Sequence, residues 1–240
     1  MGCAMTRTLT KAIFLAFPVV LFSIIPQVWA IQASVIVSED SYVSSDQPNT
    51  NKGDYSHLFV YNETDELNTT RAYNAWLKFN LSDIPSNATI NSAVLRVHTG
   101  LSGTGLVGVG VFLCNDTSWD EYTITWNTTP PLFSSEPIAT LNVSTSNTDY
   151  DFNVTDAVEG ETMTCLVLKL ILKAKYDGGQ ADFYSRESDY APKLIVDYVL
   201  EPPAFDWGLA AALATFVIVV PAAVGVYLYR KVKKTPKTSI

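Results

Sequence analysis

The chain contains 240 residues, of which 16 are basic and 24 acidic, together with two histidines and three cysteines. Its length allows one or two domains. Once the two terminal segments are set aside, nine basic residues stand against all 24 acidic ones, a net charge of −15 that repels nucleic acid and anionic head groups. We therefore expect no nucleic-acid binding.

The N-terminal residues have the order of a secretory signal peptide. Arg7 and Lys11 precede an uncharged apolar run that closes with the small residue Ala30. We predict a signal peptide over residues 1–30. Cleavage after Ala33 fits the same pattern, and an uncleaved N-terminal anchor is the alternative.

The next segment, residues 31–200, is rich in short candidate β-strands. These strands are rich in β-branched and aromatic residues and are separated by clusters of Asn, Asp, Gly, Pro and Ser. Regular short strands without amphipathic helical runs predict an all-β ectodomain, specifically a β-sandwich of the jelly-roll type. The predicted strands cover residues 34–37, 56–62, 74–81, 92–100, 106–114, 122–127, 137–143, 150–154, 164–175, 181–187 and 193–200.

Eight N-x-[ST] sequons lie in this domain, a density that predicts a glycosylated surface in an exported protein. The alternative is that Asn and Thr are simply frequent in the turns of β-rich chains. The sequons start at Asn62, Asn68, Asn80, Asn87, Asn115, Asn127, Asn142 and Asn153.

Cys114 and Cys165 are the two cysteines of the predicted ectodomain. Strand parity places both on outward faces, which permits a disulfide if their Cα atoms lie within about 7 Å. A disulfide and two free thiols both remain open. A metal site is not expected, because no further Cys or nearby His stands at a ligand spacing.

The C-terminal residues predict a membrane anchor. A short linker, residues 201–206, leads into residues 207–229, a run of 23 without charge, where a hydrocarbon core needs about 20. The basic tail, residues 230–240, then belongs in the cytoplasm. We expect a single-pass protein of the cell membrane with an extracellular N-terminal domain, while its membrane partners and oligomeric state remain open.

Five motifs in order resemble a known family of secreted modules. They are "EDSYVSSDQPNTNKGDYSHLFVYN", "RAYNAWLKFNLSDIPSNATINSAVLRVHTG", "TSWDEYTITWNTTPP", "YDFNVTDAV" and "DFYSRESDYAPKLIVDYV". Their order resembles the DNRLRE-type β-jelly-roll family, which is related to disaggregatase-associated repeats and to a class of carbohydrate-binding modules. The resemblance covers nearly all of residues 36–199. It implies a role outside bacterial or archaeal cells, and some members resemble alginate binders.

Strand parity predicts a ligand-binding face. An outward aromatic ring would pack on the apolar face of a sugar, and outward cations would pair with a uronate carboxylate. The alternative is that the cations pair with carboxylates of this chain, such as Glu187 or Asp189. The indoles of Trp119 and Trp126 are instead expected to pack a long connection against the sandwich. The candidate binding residues are Trp76, Lys78, Arg96, His98, Tyr184 and Arg186.

No motif requires a cofactor. Structural calcium is the ion that oxygen-rich loops of jelly-roll modules would hold, and Asp40 and Asp197 are its candidate ligands by analogy, with ordinary surface carboxylates as the alternative. The carboxylate pairs on loops do not form an acid and a base across a recognisable cleft. We therefore expect no enzyme activity.

Two functions from different classes remain open. One is a membrane-anchored, non-catalytic carbohydrate-binding module that recognises an envelope or extracellular polysaccharide. The other is a structural or adhesive glycosylated surface protein that contacts other envelope proteins.

Overall fold

The computed structural model describes residues 30–64, 69–100, 107–132, 135–172 and 179–200, together with Tyr227 and Arg230. The predicted signal peptide up to residue 29 and the predicted membrane helix apart from Tyr227 lie outside the described residues. In the part of the chain that is described, no helix has both the length and the apolar character needed to cross a membrane. The described strands all belong to one compact unit, Val28–Glu201.

Within the described residues the fold consists of eleven β-strands and two short 3-10 turns, Trp126–Thr128 and Thr155–Ala157. The predicted all-β class is therefore confirmed for this part of the chain. The strands are β1 (Ala30–Ile36), β2 (Glu39–Ser44), β3 (His57–Thr64), β4 (Thr70–Asn80), β5 (Ala88–His98), β6 (Val107–Cys114), β7 (Ala139–Val143), β8 (Asp149–Asn153), β9 (Met163–Leu172), β10 (Gln180–Tyr184) and β11 (Lys193–Leu200).

The described strands form two antiparallel sheets. The smaller sheet has the order β1-β11-β5-β8, and the larger has the order β10-β3-β4-β9-β6-β7, with β2 also paired to β4. The sheets meet where β5 ends, because Thr99 bridges Phe183 of β10 and the Gly100 N–H donates to the Asp182 carbonyl at 3.0 Å. This junction brings side chains of the two sheets together at one edge.

The main apolar core lies between the sheets and follows from strand alternation. In the second half of β4 every second residue is apolar and fully buried, and the second half of β5 repeats the pattern on the facing sheet. Both inward sets follow from the period of two along a strand. They consist of Ala75, Leu77 and Phe79 in β4 and of Ala93, Leu95 and Val97 in β5.

A second apolar cluster, which we call the outer cluster, lies on the side of β4, β6 and β9 that faces away from this core. Trp76 and Val167 are covered there by Trp119 and Ile124 of the connection 115–132, and the two indoles meet edge to face at 6.2 Å. Trp126 packs against the same cluster. The expected structural role of both indoles is confirmed.

The strand predicted at residues 122–127 is wrong. Asp120 holds this segment in a turn, since its carbonyl accepts from the Ile124 N–H at 2.9 Å and its carboxylate from the Tyr122 N–H at 3.0 Å. The alternating apolar residues of this segment, Ile124 and Trp126, pack onto the outer cluster instead of forming a strand. Conversely, β2 was not predicted, because its sequence EDSYVS is mostly polar and does not alternate, although all of it except Glu39 is buried.

Cys114 and Cys165 lie opposite each other on β6 and β9 within the outer cluster. In this structure both of these described thiols are free rather than joined in a disulfide. A hydrogen bond from Cys165 lowers the pKa of Cys114 to about 7. The Trp119 indole N–H donates to the Cys165 sulfur at 3.2 Å.

Candidate functional site

The six residues predicted to form one binding face do not share a face. Trp76 and Lys78 point away from the core on β4, and each is only 3% exposed because the connection 115–132 covers them. Arg96 and His98 point away from the same core on β5. Since β4 and β5 belong to facing sheets, equal parity places their outward side chains on opposite sides of the sandwich.

Lys78 is a buried structural cation. Its ammonium lies 2.8 Å from the Glu39 carboxylate and 4.6 Å from the Trp119 ring centroid, and it donates to the Trp119 carbonyl. These contacts fix the connection to β4. Lys78 and Trp76 are therefore not available to a ligand in this structure.

The two arginines of the predicted face are also paired. Arg96 makes a bidentate contact with Asp151 at 2.7 and 2.6 Å, and this contact lowers the pKa of Asp151 below its usual range. Arg186 pairs with Glu121 at 2.8 Å and with Glu187 at 3.1 Å. The alternative interpretation, cations paired within the chain, thus describes the structure for both arginines.

His98 and Tyr184 are brought together, and further aromatic rings join them. His98 stacks on Tyr190 at 4.4 Å, and Tyr190 lies 5.2 Å from Tyr184. The run continues through neighbouring rings at centroid separations of 4.8 to 6.2 Å. We call this set the aromatic strip; in spatial order it comprises His98, Tyr190, Tyr184, His57, Phe59, Tyr42 and Tyr55.

The register of the strands creates the strip. Tyr184 of β10 lies directly opposite His57 of β3, so their rings touch at 4.8 Å. His98 joins from the other sheet because Gly100 approaches β10 closely. A Cβ at Gly100 would lie 2.3 Å from the Asp182 carboxylate, so any larger residue would force β5 or Asp182 to shift.

The strip is open to solvent at Tyr190, next to its His98 end, and at Tyr55, its other end. Tyr190 is 50% exposed and Tyr55 is 44% exposed, whereas Tyr42 in the run between them is buried. Burial raises the pKa of Tyr42 to about 12, so this phenol stays uncharged at physiological pH. The strip thus combines the exposed rings of Tyr190 and Tyr55 with the buried, uncharged ring of Tyr42.

Polar groups border the His98 end of the strip. Asp149 Oδ1 lies 2.6 Å from His98 Nδ1, and Asn147 Oδ1 lies 3.2 Å from Nε2. Asn147 adopts a left-handed backbone with φ of 50°, and its N–H donates to the carbonyls of Thr99 and Gly100. Because the side chain of Asp149 is half exposed, it offers acceptor oxygens next to His98, the ring on which Tyr190 stacks.

The predicted calcium ligands lie apart. Asp197 belongs to the smaller sheet, where its carboxylate accepts from Gln32 at 2.9 Å and from Ser92 at 3.1 Å. Asp40 lies on β2 of the larger sheet and faces Glu121 and Glu187 instead. Burial raises the pKa of Asp40 to about 8 and that of Glu121 to about 7.

Comparison with known proteins identifies the family to which this chain belongs. The model of carbohydrate-binding module family 96 matches residues 31–198, which is most of the chain. The chain belongs to this family. The carbohydrate-binding class implied by the sequence resemblance is thereby confirmed.

A gellan lyase from Bacillus sp. is 30% identical to this family 96 module over 139 residues. The match spans 54% of this chain but only 5% of the lyase, so the chain corresponds to a small part of that protein. Among solved structures, a chain of Mud crab tombus-like virus aligns over 78% of this chain and 88% of its own length, with a TM-score of 0.30 and 10% identity.

Within the family 96 module, the sequence predicted three residues that lie in or beside the aromatic strip and missed the other rings of the strip. His98 and Tyr184 belong to the strip, and Arg96 lies next to it through Asp149. Tyr190 was missed because it lies in a turn, where strand parity gives no signal. The high share of aromatic residues in the chain was the one available hint of the strip.

Proposed function

We propose that this protein is a cell-surface, membrane-anchored, non-catalytic module that binds an envelope or extracellular polysaccharide along the aromatic strip. Family membership supports carbohydrate binding. The observation that carries the choice of site is the run of contacting rings from His98 to Tyr55, in which Tyr190 and Tyr55 are exposed.

The strip suits a sugar polymer for chemical reasons. Sugar rings have apolar C–H faces that pack on aromatic side chains, and their hydroxyl groups need polar partners at the edge. Tyr190 and Tyr184 supply neighbouring rings, while Asp149 supplies acceptor oxygens beside His98, which contacts both rings. A run of rings also offers consecutive contacts to consecutive sugars of an extended chain.

Aromatic packing rather than charge is expected to dominate this binding. The guanidinium of Arg96 is occupied by Asp151, and that of Arg186 by Glu121 and Glu187. The sequence predicted a preference for uronate because it predicted free cations on the binding face. Since both arginines are paired within the chain, this preference loses its main support. The lyase relative nevertheless makes gellan the first polymer to test.

The export and anchoring parts of the proposal rest on the sequence. A cleaved signal peptide, a membrane helix over residues 207–229 and a cytoplasmic tail are proposed from the terminal patterns. A jelly-roll arrangement of the two sheets is proposed from the family resemblance. Glycosylation is supported by position, because six of the seven described sequon asparagines are exposed and Asn62 is half-buried; Asn68 lies outside the described residues.

The proposal is tested by a binding profile of the full-length protein in detergent micelles. Immobilised gellan, alginate and cellulose are presented at physiological salt, with an unrelated single-pass protein in the same detergent as control. We expect retention on at least one polysaccharide above the control. A flat profile would favour the alternative, a structural surface glycoprotein.

A further inference from the structure

Three carboxylates from distant parts of the chain meet beside β2. They belong to Asp40 in β2, Glu121 in the connection 115–132 and Glu187 in the turn after β10. One oxygen of each lies within 4.8 Å of the others. Asp40 is only 1% exposed and Glu121 only 2%, whereas Glu187 reaches solvent.

Two of these carboxylates carry an unpartnered buried oxygen. Asp40 Oδ2 accepts from the Arg186 N–H at 2.8 Å, but Oδ1 has no hydrogen-bond partner among the described residues. Glu121 Oε2 pairs with Arg186, and Oε1 is left without a partner in the same way. A buried carboxylate oxygen without a partner costs free energy, and a bound cation is one of the few features that satisfies it.

The charges around this cluster do not balance. Arg186 supplies one positive charge against the three carboxylates Asp40, Glu121 and Glu187. The adjacent Glu39 does not change the sum, because Lys78 pairs with it at 2.8 Å. When all three carboxylates are ionised, two negative charges remain among these described groups, which is the charge that one divalent cation neutralises; binding would then displace the protons that burial favours on Asp40 and Glu121.

We propose that Asp40, Glu121 and Glu187 form a binding site for one divalent cation and that calcium is the ion that fits it best. The donors are all carboxylate oxygens, the ligands that calcium prefers. Calcium lies about 2.3 to 2.6 Å from its ligands, so two ligands across the ion are separated by about 4.6 to 5.2 Å. The three carboxylate oxygens lie within 4.8 Å of one another, close enough for one ion to contact all three.

The calcium geometry also fits the unequal burial of the ligands. Calcium accepts six to eight oxygens in irregular arrangements and takes water where the protein leaves room, whereas magnesium demands a near-ideal octahedron. Here the buried side offers the oxygens of Asp40 and Glu121. The exposed side, at Glu187, leaves space for water ligands.

An ion at this position would tie together three segments that the sheets alone do not join. Glu121 belongs to the connection that covers the outer cluster. Glu187 belongs to the turn that carries Tyr190, and this turn is already braced by Ser185, whose hydroxyl lies 2.8 Å from the Glu187 carboxylate. The site would therefore stabilise the fold whether or not the aromatic strip binds sugar.

The experiment is a calcium titration of the full-length protein in detergent, stripped of metal with EDTA and dialysed against chelator-free buffer. Isothermal titration calorimetry with calcium chloride measures binding, and thermal unfolding at increasing calcium measures stabilisation. Asp40→Asn removes a buried ligand. Asp197→Asn is the matched control, because Asp197 is an aspartate with its own partners on the other sheet.

We expect wild type and Asp197→Asn to bind one calcium and to gain melting temperature until the site saturates. Asp40→Asn is expected to bind at least tenfold more weakly. If Asp40→Asn does not fold, Glu187→Gln takes its place, because Glu187 is exposed and its loss leaves no buried gap. The proposal is overturned if wild type shows neither heat nor a thermal shift at millimolar calcium, or if the ligand variant responds like wild type. Magnesium binding as tight as calcium binding would overturn the choice of ion.

Discussion

His98 and Tyr184 belong to different sheets, yet their ring centroids lie 5.8 Å apart. The contact exists because the end of β5 is hydrogen-bonded to β10 through Gly100. It joins the two halves of the sandwich at the edge where the aromatic strip begins. The strip therefore depends on the packing of the sheet junction as well as on its own residues.

Gly100→Ala should weaken this junction. The new Cβ would lie 2.3 Å from the Asp182 carboxylate, so either β5 or Asp182 must move. We expect a loss of stability of about 1 to 3 kcal/mol, as for other overpacked sites. Urea unfolding measures the change. An unaltered midpoint and slope would show that the junction is looser than the structure indicates.

Lys78→Met should destabilise the fold without changing sugar binding. Breaking a buried ion pair costs about 3 to 5 kcal/mol, and since Glu39 is 31% exposed we expect the lower value of about 2 to 3 kcal/mol. Lys193→Met, on the surface of β11, is the control and should change stability by less than about 0.5 kcal/mol. Unfolding and polysaccharide retention are measured on the same samples. Loss of retention by a folded Lys78→Met protein would restore Lys78 to the binding face.

The Arg96–Asp151 pair should give a stability difference that depends on pH. Arg96 lowers the folded pKa of Asp151, so the pair stabilises the fold above the unfolded aspartate pKa of about 4 and loses this contribution as the pH falls through the folded pKa. Both side chains are at least a third exposed, and the effect should stay below about 1 kcal/mol.

Urea unfolding of wild type and Arg96→Ala at pH 7 and pH 3 checks this. We expect wild type to be the more stable at pH 7 and the difference to narrow at pH 3. A difference that is equal or larger at pH 3 would mean that Arg96 stabilises through packing and not through Asp151.

The signal peptide should be cleaved after Ala30 and not after Ala33. The sequence allows both sites, but β1 pairs Ile31, Gln32 and Ala33 with β11, and cleavage after Ala33 would remove half of this ladder. N-terminal sequencing of the protein purified from its own membranes should therefore begin at Ile31. A start at Ser34 would contradict the register of β1, and a start at Met1 would contradict the signal peptide.

Strand alternation predicted the core but not the surface. The inward residues of β4 and β5 could be read from the sequence, because each side chain's face follows from a period of two. Whether the outward side of Trp76 meets solvent depends on the connection 115–132, which folds back over β4 from about 40 residues further along. Local pattern carries no information on such a contact.

The lack of local information on long-range contacts also explains why most of the candidate site was not predicted from the sequence. Tyr190 lies in a turn, where no period exists, and reaches His98 through a contact between two sheets. The acidic cluster joins Asp40, Glu121 and Glu187, three residues whose spacing in sequence shows no ligand motif. Strand parity therefore identified only His98 and Tyr184, the two strip residues that lie on strands and that were already candidates for sugar binding.

The central claim, that sugar packs on the aromatic strip, is tested most directly by the affinity of Tyr190→Ala for the polysaccharide that wild type retains best among gellan, alginate and cellulose. Tyr122→Ala is the matched control, since Tyr122 is an exposed tyrosine outside the strip, at 60% exposure. Calorimetry on the full-length proteins should show a loss of about 1 kcal/mol or more for Tyr190→Ala, roughly fivefold to tenfold in affinity, and wild-type affinity for Tyr122→Ala. Equal affinities in all three proteins would contradict binding at the strip.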